Sequence, residues 1–587
     1  MKTLKTVSLV LLGVLTAVAF SVGLGSFAVL RQASGVSTAA LAGGFTALYL
    51  YAVNRGKPFG GDFFFASLVA VFFLFGDACR TSLALSPLWK KPFQAVGLLL
   101  VYFCFALAAA RTLHALLNRD FAAFPQIKHP FLFFALLLLI AWLPQLILKF
   151  PGTLCYDNVT QLAEAFGYTP MKSDHPLPHT LLLGLFFRFG RLFGSSNLGL
   201  FLFVAVQAVF MAGVFAFTLV QMDRYRVPRF VVLCALFVYA VSPNVTGYLS
   251  IPLKDIPYST LYVLYTSMLL EFVLDAERFW QTKRYVAALV LSGAGIVLLR
   301  LNGLLCILPL SAVLVIRLLR GKEKPRVKTA RVAAVLMTFV LTLTVNTTLN
   351  LVYRPTGGSM GEPLTFFFQQ TARTMRDHPD DVSEKDREVI DRVLDADQIA
   401  ALYHPDNGDA VKNTYKQSAT VSDLARYLGV WAKGLVTHPV TYLEATVSQN
   451  YTLFYPQQNN IKYYPSVRTH HPLDGEMKET KALHNLFPKL LDGVNDYYTC
   501  LHCLPALGLL SNIGFMVLLL LALLAFSRAE KLRGFRLVAL PSLITLVMCL
   551  FSPVIYLQSR YAFPLVYAMP IVTAAYWILR KNSIHNA

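Results

Sequence analysis

Charge is scarce in this sequence, and acidic charge is the scarcer sign. Of 587 residues, 14% are charged and 56% hydrophobic, with 52 Lys and Arg against 32 Asp and Glu. A soluble domain carries about 25% charged residues, so a single water-soluble globule is excluded. No Gly-rich loop ending in Gly-Lys-Ser/Thr is present, and no G-x-G-x-x-G follows a strand-like run to open a helix. Those absences exclude a nucleotide-binding domain, including a Rossmann half that would hold a nucleotide sugar. Internal repeats and low-complexity tracts are also missing.

What is abundant is apolar sequence in runs of span length, about 20 residues each. Spans are expected near 7–30, 37–53, 62–79, 92–117, 130–148, 198–220, 230–249, 257–274, 284–300, 301–318, 330–352, 505–527, 536–554 and 560–580. The fold class is therefore an all-α polytopic membrane protein with about 14 transmembrane helices. The first run follows Lys2 and Lys5 but is too long for a signal peptide, so it reads as a retained helix.

The net charge of +20 raises nucleic acid as a partner, but its placement argues against one. Lys and Arg gather in short loops: Arg224, Arg226 and Arg229; Arg278, Lys283 and Arg284; Arg317 to Arg331; Arg528 to Arg536; Arg580 and Lys581. That is the positive-inside pattern, with attraction to anionic lipid as a by-product. It sets both termini in the cytoplasm and leaves two long segments outside. One ambiguous run, 178–194, decides this reading. Its Arg188 and Arg191 share a helical face in an otherwise apolar stretch, which suits a helix lying in the outer interface.

The expected organisation has four parts. Residues 1–129 hold N-terminal transmembrane helices. Residues 130–352 form a transmembrane core with a first outward loop at 149–197. Residues 353–504 form an extracytoplasmic, mainly helical domain, with a charged helical patch from Thr371 to Leu402 and an aromatic run from Tyr451 to Tyr464. Residues 505–587 return to the membrane.

Candidate chemistry collects in the outward turns. Asp157 follows a span end, beside Tyr156 and ahead of Gln161. A carboxylate there can take a proton from an acceptor, or it can cap a short helix over Asn158 to Gln161. Asp174, His175 and His179 come next, in structural or substrate-positioning roles. A divalent metal held by Asp157, Asp174 and these histidines is the alternative, but no motif spacing supports it, and no cofactor is expected. Lys254 and Asp255 form either a local ion pair or a phosphate contact beside a substrate contact. Arg300, Asn302, Arg560 and Tyr561 stand on further outward turns, where basic residues oppose the positive-inside trend; snorkelling to headgroups is the plainer role for the cations. Of eight cysteines, Cys500 and Cys503 have metal or redox spacing without a second pair, which favours simple thiols.

Taken in order, these features resemble the GT-C superfamily of membrane glycosyltransferases, which includes protein O-mannosyltransferases and aminoarabinose transferases. The resemblance rests on Asp157 after a span, His175-Pro176, an interfacial helix ending near Leu192-Phe193-Gly194, Ser242-Pro243, Asp255, and the turn Gln558-Ser559-Arg560-Tyr561-Ala562-Phe563-Pro564. Phe150-Pro151-Gly152-Thr153 through Asp157 and Gln161, with Pro252-Leu253-Lys254-Asp255, looks like an uncharacterised GT-C-like family of Gram-positive bacteria. The layout covers roughly residues 130–580. The paired Asp-Glu of the protein O-mannosyltransferases is absent from the first loop, and extra spans precede the core.

The resemblance implies a glycosyltransferase that uses a sugar on a polyprenyl phosphate as donor. Asp157 is then the catalytic base. Lys254, Arg300 and Arg560 are implied lipid-phosphate contacts. Tyr156, Gln161, Asp174, His175, His179, Asp255, Asn302 and Tyr561 are the implied substrate contacts. The expected partners are the lipid-linked donor, membrane lipids and a cell-envelope glycan or lipid acceptor, with no nucleic acid. The expected location is the cell membrane, with an extracytoplasmic active site. The alternative is a non-catalytic carrier or flippase for lipid-linked glycans. Such a carrier places ionisable groups near the bilayer midplane and often shows inverted repeats.

Overall fold

A computed structural model describes residues 2–23, 35–54, 60–117, 119, 121–358, 361–456, 471–552 and 560–585. Among these the chain is helical and forms no strand, only three isolated bridges. Eight helices are long and apolar enough to cross a membrane: Gly60–Ser82, Pro92–Leu117, Pro130–Leu148, Ser196–Arg224, Arg229–Leu249, Gly303–Arg320, Pro325–Tyr353 and Arg560–Ser583. Four shorter apolar stretches, Val7–Val18, Ala40–Val53, Ile513–Ala529 and Phe535–Phe551, accompany them. The expected spans at 257–274 and 284–300 fall on the helices Asp255–Leu274 and Lys283–Leu299, which are not among the eight. Residues 24–30 of the first expected span lie outside the described residues, as do 457–464 of the aromatic run and Gln558 and Ser559.

Local sequence sets the helix ends. Pro130 and Pro325 open their helices, where a missing N–H costs nothing. The Ser195 hydroxyl accepts from Leu198 N at 3.1 Å, and Asn512 Oδ1 accepts from Phe515 N at 2.9 Å. The expected span at 230–249 is broken after Ala240 and resumes at Pro243, because proline cannot donate into the preceding turn.

The last helix sits at the centre of the bundle. Within its apolar window 94% of residues are buried, against 17% for Pro130–Leu148 and for Pro325–Tyr353, so protein rather than lipid surrounds it. Its Tyr567 hydroxyl donates to Asn244 O at 2.9 Å, and Tyr239 donates to Tyr567 O at 3.1 Å.

Contacts sort the helix ends into two sets. At one end Arg111 meets Asp62 at 2.6 Å, His114 meets Glu530 at 2.9 Å and Arg580 meets Glu530 at 3.3 Å. Arg224 meets Glu271 at 3.7 Å and Arg331 meets Glu277 at 2.8 Å. The strongly basic loops belong to this end. The other end carries the Tyr156–Ala165 and Leu177–Leu192 helices, the start of Asp255–Leu274 and the start of the last helix.

A helical module built from Gly361–Asp377, Glu384–Asp391, Val421–Thr437 and Pro439–Asn450 is attached at that second end. It has its own apolar core around Phe368, Ile390, Leu394 and Tyr427. Buried Arg373 joins Glu444 at 2.7 Å, and Glu444 accepts from Leu85 N at 3.1 Å, which ties the module to the end of Gly60–Ser82. Part of the 353–504 segment lies outside this module. Residues 471–485 leave the module and pack on the first loop: Thr160 meets His471 at 3.1 Å, Arg191 meets Glu479 at 2.6 Å, and Asn485 donates to Phe150 O at 3.0 Å.

Candidate active site

The first loop is fixed from both sides before it presents Asp157. Gly152 has φ +135°, and a Cβ there would fall 2.9 Å from Val204 Cγ2 and 3.0 Å from Ser250 O. Only glycine fits, and it lets Thr153 N donate to Ser250 O at 2.9 Å. The helix Tyr156–Ala165 then begins with Cys155 as its N-cap residue. Asn158 Oδ1 accepts from Cys155 N at 3.1 Å while Asn158 Nδ2 donates to Pro252 O at 2.6 Å. The capping role that the sequence left open for Asp157 is thus filled by Asn158. Asp157 stands in the first turn, where the helix dipole favours an anion.

Three other helix ends, carrying Lys254 with Asp255, Arg300, and Arg560, bring charge to Asp157. Its Oδ2 lies 4.0 Å from Lys254 Nζ and 3.8 Å from Arg560 Nη1, both longer than a hydrogen bond. Arg560 Nη1 is also 3.9 Å from Asp255 Oδ2, and Arg300 Nη1 pairs closely with Asp255 Oδ1. Lys254 and Asp255 are therefore not each other's partners. Arg300 lies over the Tyr561 ring at 4.5 Å, which holds its guanidinium plane. Arg300, Asn302, Tyr561 and Tyr258 line one small pocket with Thr545 and Ser552.

Burial opposes charge on Asp157, but Arg560, Lys254, His175 and Arg300 outweigh it and hold the carboxyl well below the usual range. Lys254 Nζ lies 2.9 Å from His175 Nδ1. Burial, with the Lys254 charge, pushes His175 down to about 4. The same two causes push His179 down to about 3. His179 is buried against Gln161, with Nε2 of Gln161 3.1 Å from Nδ1 of His179. Among the described residues Gln161 Oε1 and His179 Nε2 are buried without a hydrogen-bond partner, which leaves polar capacity inside the loop.

Of the remaining expected residues, Tyr156 is exposed and packs on the His471 ring at 4.3 Å between centroids. Asp174 is exposed at the rim, where its charge acts on Glu164 and His175. Sequence reasoning missed Glu164. It follows Asp157 by seven residues and Gln161 by three, so the three share one helical face. It is 4% exposed, and its carboxylate has no side-chain hydrogen-bond partner among the described residues. Burial and Asp174 push it up to about 7. The i, i+4, i+7 spacing of polar residues was the available signal.

Cys500 and Cys503 are exposed free thiols. The string Gly357-Gly358-Ser359-Met360-Gly361 has the spacing of a hydrolase elbow. It follows the helix Pro325–Tyr353, and no strand precedes it among the described residues, whereas such an elbow sits on a strand-to-helix turn. Ser359 itself lies outside the described residues.

Fold and composition define an all-α, membrane-embedded protein with a charged cluster at one end of its bundle. Within that class, the chain belongs to a family of unknown function, DUF6020, whose profile matches residues 166–587. Asp157, Gln161 and Glu164 precede the matched residues. No curated protein and no solved structure matches the chain.

Proposed function

We propose that this protein is a GT-C-type membrane glycosyltransferase, moving a sugar from a polyprenyl phosphate to an extracytoplasmic acceptor of the cell envelope or cell wall. The proposal includes about 14 spans, cytoplasmic termini, and the Asp157 end with its helical module outside the cell. The observation that supports it is the meeting of Asp157 with Lys254, Asp255, Arg300 and Arg560, drawn from four helix ends, at the end opposite the basic loops.

In this reading the acceptor oxygen or nitrogen attacks the anomeric carbon, and its proton passes to Asp157. The bond from that carbon to the phosphate oxygen breaks, and polyprenyl phosphate leaves with the electron pair. Lys254 and Arg560 bind the phosphate and stabilise the charge it gains. They also depress Asp157 while the site is empty. A phosphate drawn to them screens those cations, and the basicity of Asp157 returns. Donor binding then prepares the base. Gln161, His175, His179 and Asp255 orient the sugar and acceptor, with Tyr156, Asp174, Asn302 and Tyr561 at the edges.

Purified protein in liposomes, given polyprenyl-phosphate sugars and envelope acceptors, tests this. Release of polyprenyl phosphate with sugar on the acceptor is expected. Movement of intact donor between leaflets without transfer would replace the enzyme with a carrier.

A further inference from the structure

The helical module holds a second cluster, apart from the residues assigned to transfer. We propose that His378, Asp381 and His438 bind one zinc(II) ion that clamps the module's helices together.

His378 and Asp381 follow the helix Gly361–Asp377, three residues apart; His438 stands at the junction of Val421–Thr437 and Pro439–Asn450. The donor atoms lie within 4.8 Å of one another. His378 Nδ1 is 3.8 Å from Asp381 Oδ2, and His438 Nε2 is 3.4 Å from the same oxygen. A tetrahedral zinc with ligand bonds of about 2.0–2.2 Å separates its ligand atoms by roughly 3.3–3.6 Å. The spacing of the three donor atoms is thus close to that of the ligands of one ion.

Two features orient the ligands. Thr441 Oγ1 lies 2.9 Å from His378 Nε2 and engages that nitrogen, which leaves Nδ1 facing Asp381. A hydrogen bond to the far ring nitrogen fixes the tautomer of a metal-binding histidine in this way. The two imidazoles stack with centroids 4.1 Å apart and planes inclined by 17°, which keeps the rings side by side, and one ring turns out of the stack to bring both nitrogens onto one ion. Two imidazoles with one carboxylate suit zinc and its transition-metal neighbours, while magnesium and calcium prefer all-oxygen sites. Asp381 and His438 also border a groove with Trp431, Lys433 and Tyr442. A fourth position, filled by water, would open towards it.

The ion would join segments far apart in sequence, across the base of Val421–Thr437. The expected consequence is a stiffer module, whatever reaction the membrane core performs. The test uses full-length protein in detergent with Cys500→Ser and Cys503→Ser, so that zinc on those thiols is not counted. After chelator treatment and dialysis against zinc chloride, metal content and thermal midpoint are measured. About one zinc per chain and a raised midpoint are expected. His378→Ala with His438→Ala should abolish both. Asp381→Asn preserves shape at a well-exposed side chain, so it keeps the fold and should weaken zinc binding by at least about 10-fold. Magnesium should not substitute. Zinc content equal in the parent and in Asp381→Asn, or a parent that retains none, would overturn the site.

Discussion

Lys254 approaches His175 with Nζ 2.9 Å from Nδ1. An ammonium has only donors, so Nδ1 must accept and the imidazole must be neutral with its proton on Nε2. Burial and the Lys254 charge put His175 at about 4, and His179, buried beside it, at about 3. Both values lie below the ordinary 6.5 of an unfolded chain.

Acid should therefore loosen the first loop. Between pH 6.5 and those depressed values the unfolded chain binds protons that the folded one refuses, so stability falls as pH falls. The loss is on the order of 1 kcal/mol for the partly exposed His175 after solvent screening. His175→Gln keeps an acceptor for Lys254 and removes the titration. Thermal midpoints from about pH 7 down to about pH 4 should drop less steeply in the variant than in the parent.

Glu164 carries the opposite sign. Its carboxyl is raised to about 7 from an ordinary 4.5, so the folded chain holds a proton that the unfolded chain releases. Stability falls as pH rises through that window. Glu164→Gln should stabilise the fold by on the order of 1–2 kcal/mol at about pH 8, read as a raised midpoint, and change it little at about pH 4. A variant less stable than the parent at the higher pH would mean that the ionised carboxylate is held by more than the structure provides.

Orientation is open to direct labelling. With Cys500 and Cys503 replaced by serine, Ala401→Cys reports on the helical module and Lys322→Cys on the basic end. A membrane-impermeant thiol reagent should reach Ala401→Cys from outside intact cells and Lys322→Cys only after permeabilisation. The reverse pattern would invert the proposed topology.

The three cations should separate by the roles their contacts give them. Lys254→Ala and Arg560→Ala should weaken apparent donor affinity by roughly 10 to 100-fold, the scale of a lost charge-assisted contact to phosphate. Arg300→Ala should also lower stability, because it strips the close partner from Asp255, which is 3% exposed. Unchanged donor affinity in all three would remove the phosphate site.

Much of the bundle was legible because apolar runs and basic loops follow directly from the cost of placing charge in lipid. The helix start at Pro130 matches the expected span, whereas the start at Pro325, ahead of the expected 330, and the break at Pro243 inside the expected 230–249 were not read, although proline marks both. The site was legible as a set of residues but not as pairs. Lys254 and Asp255 are neighbours in sequence, yet adjacent positions on a helical turn point about 100° apart. One therefore faces Asp157 and His175 while the other faces Arg300 and Arg560. Glu164 escaped notice because a glutamate in a short amphipathic helix is ordinarily exposed, and its burial comes from packing that one-dimensional spacing does not contain. The return of residues 471–485 to the first loop likewise depends on long-range contacts of His471 and Glu479 that no local pattern announces.

Asp157→Asn bears directly on the proposed transfer of the acceptor's proton to Asp157. The amide preserves size and removes the basic oxygen. Initial rates of sugar transfer from a polyprenyl-phosphate donor should be measured in liposomes at saturating donor, alongside donor binding and thermal midpoint. The rate should fall by roughly 100-fold or more, with the protein folded and the donor still bound. Transfer at the parental rate would contradict that proton transfer and leave Asp157 as a structural anion in the first turn of its helix.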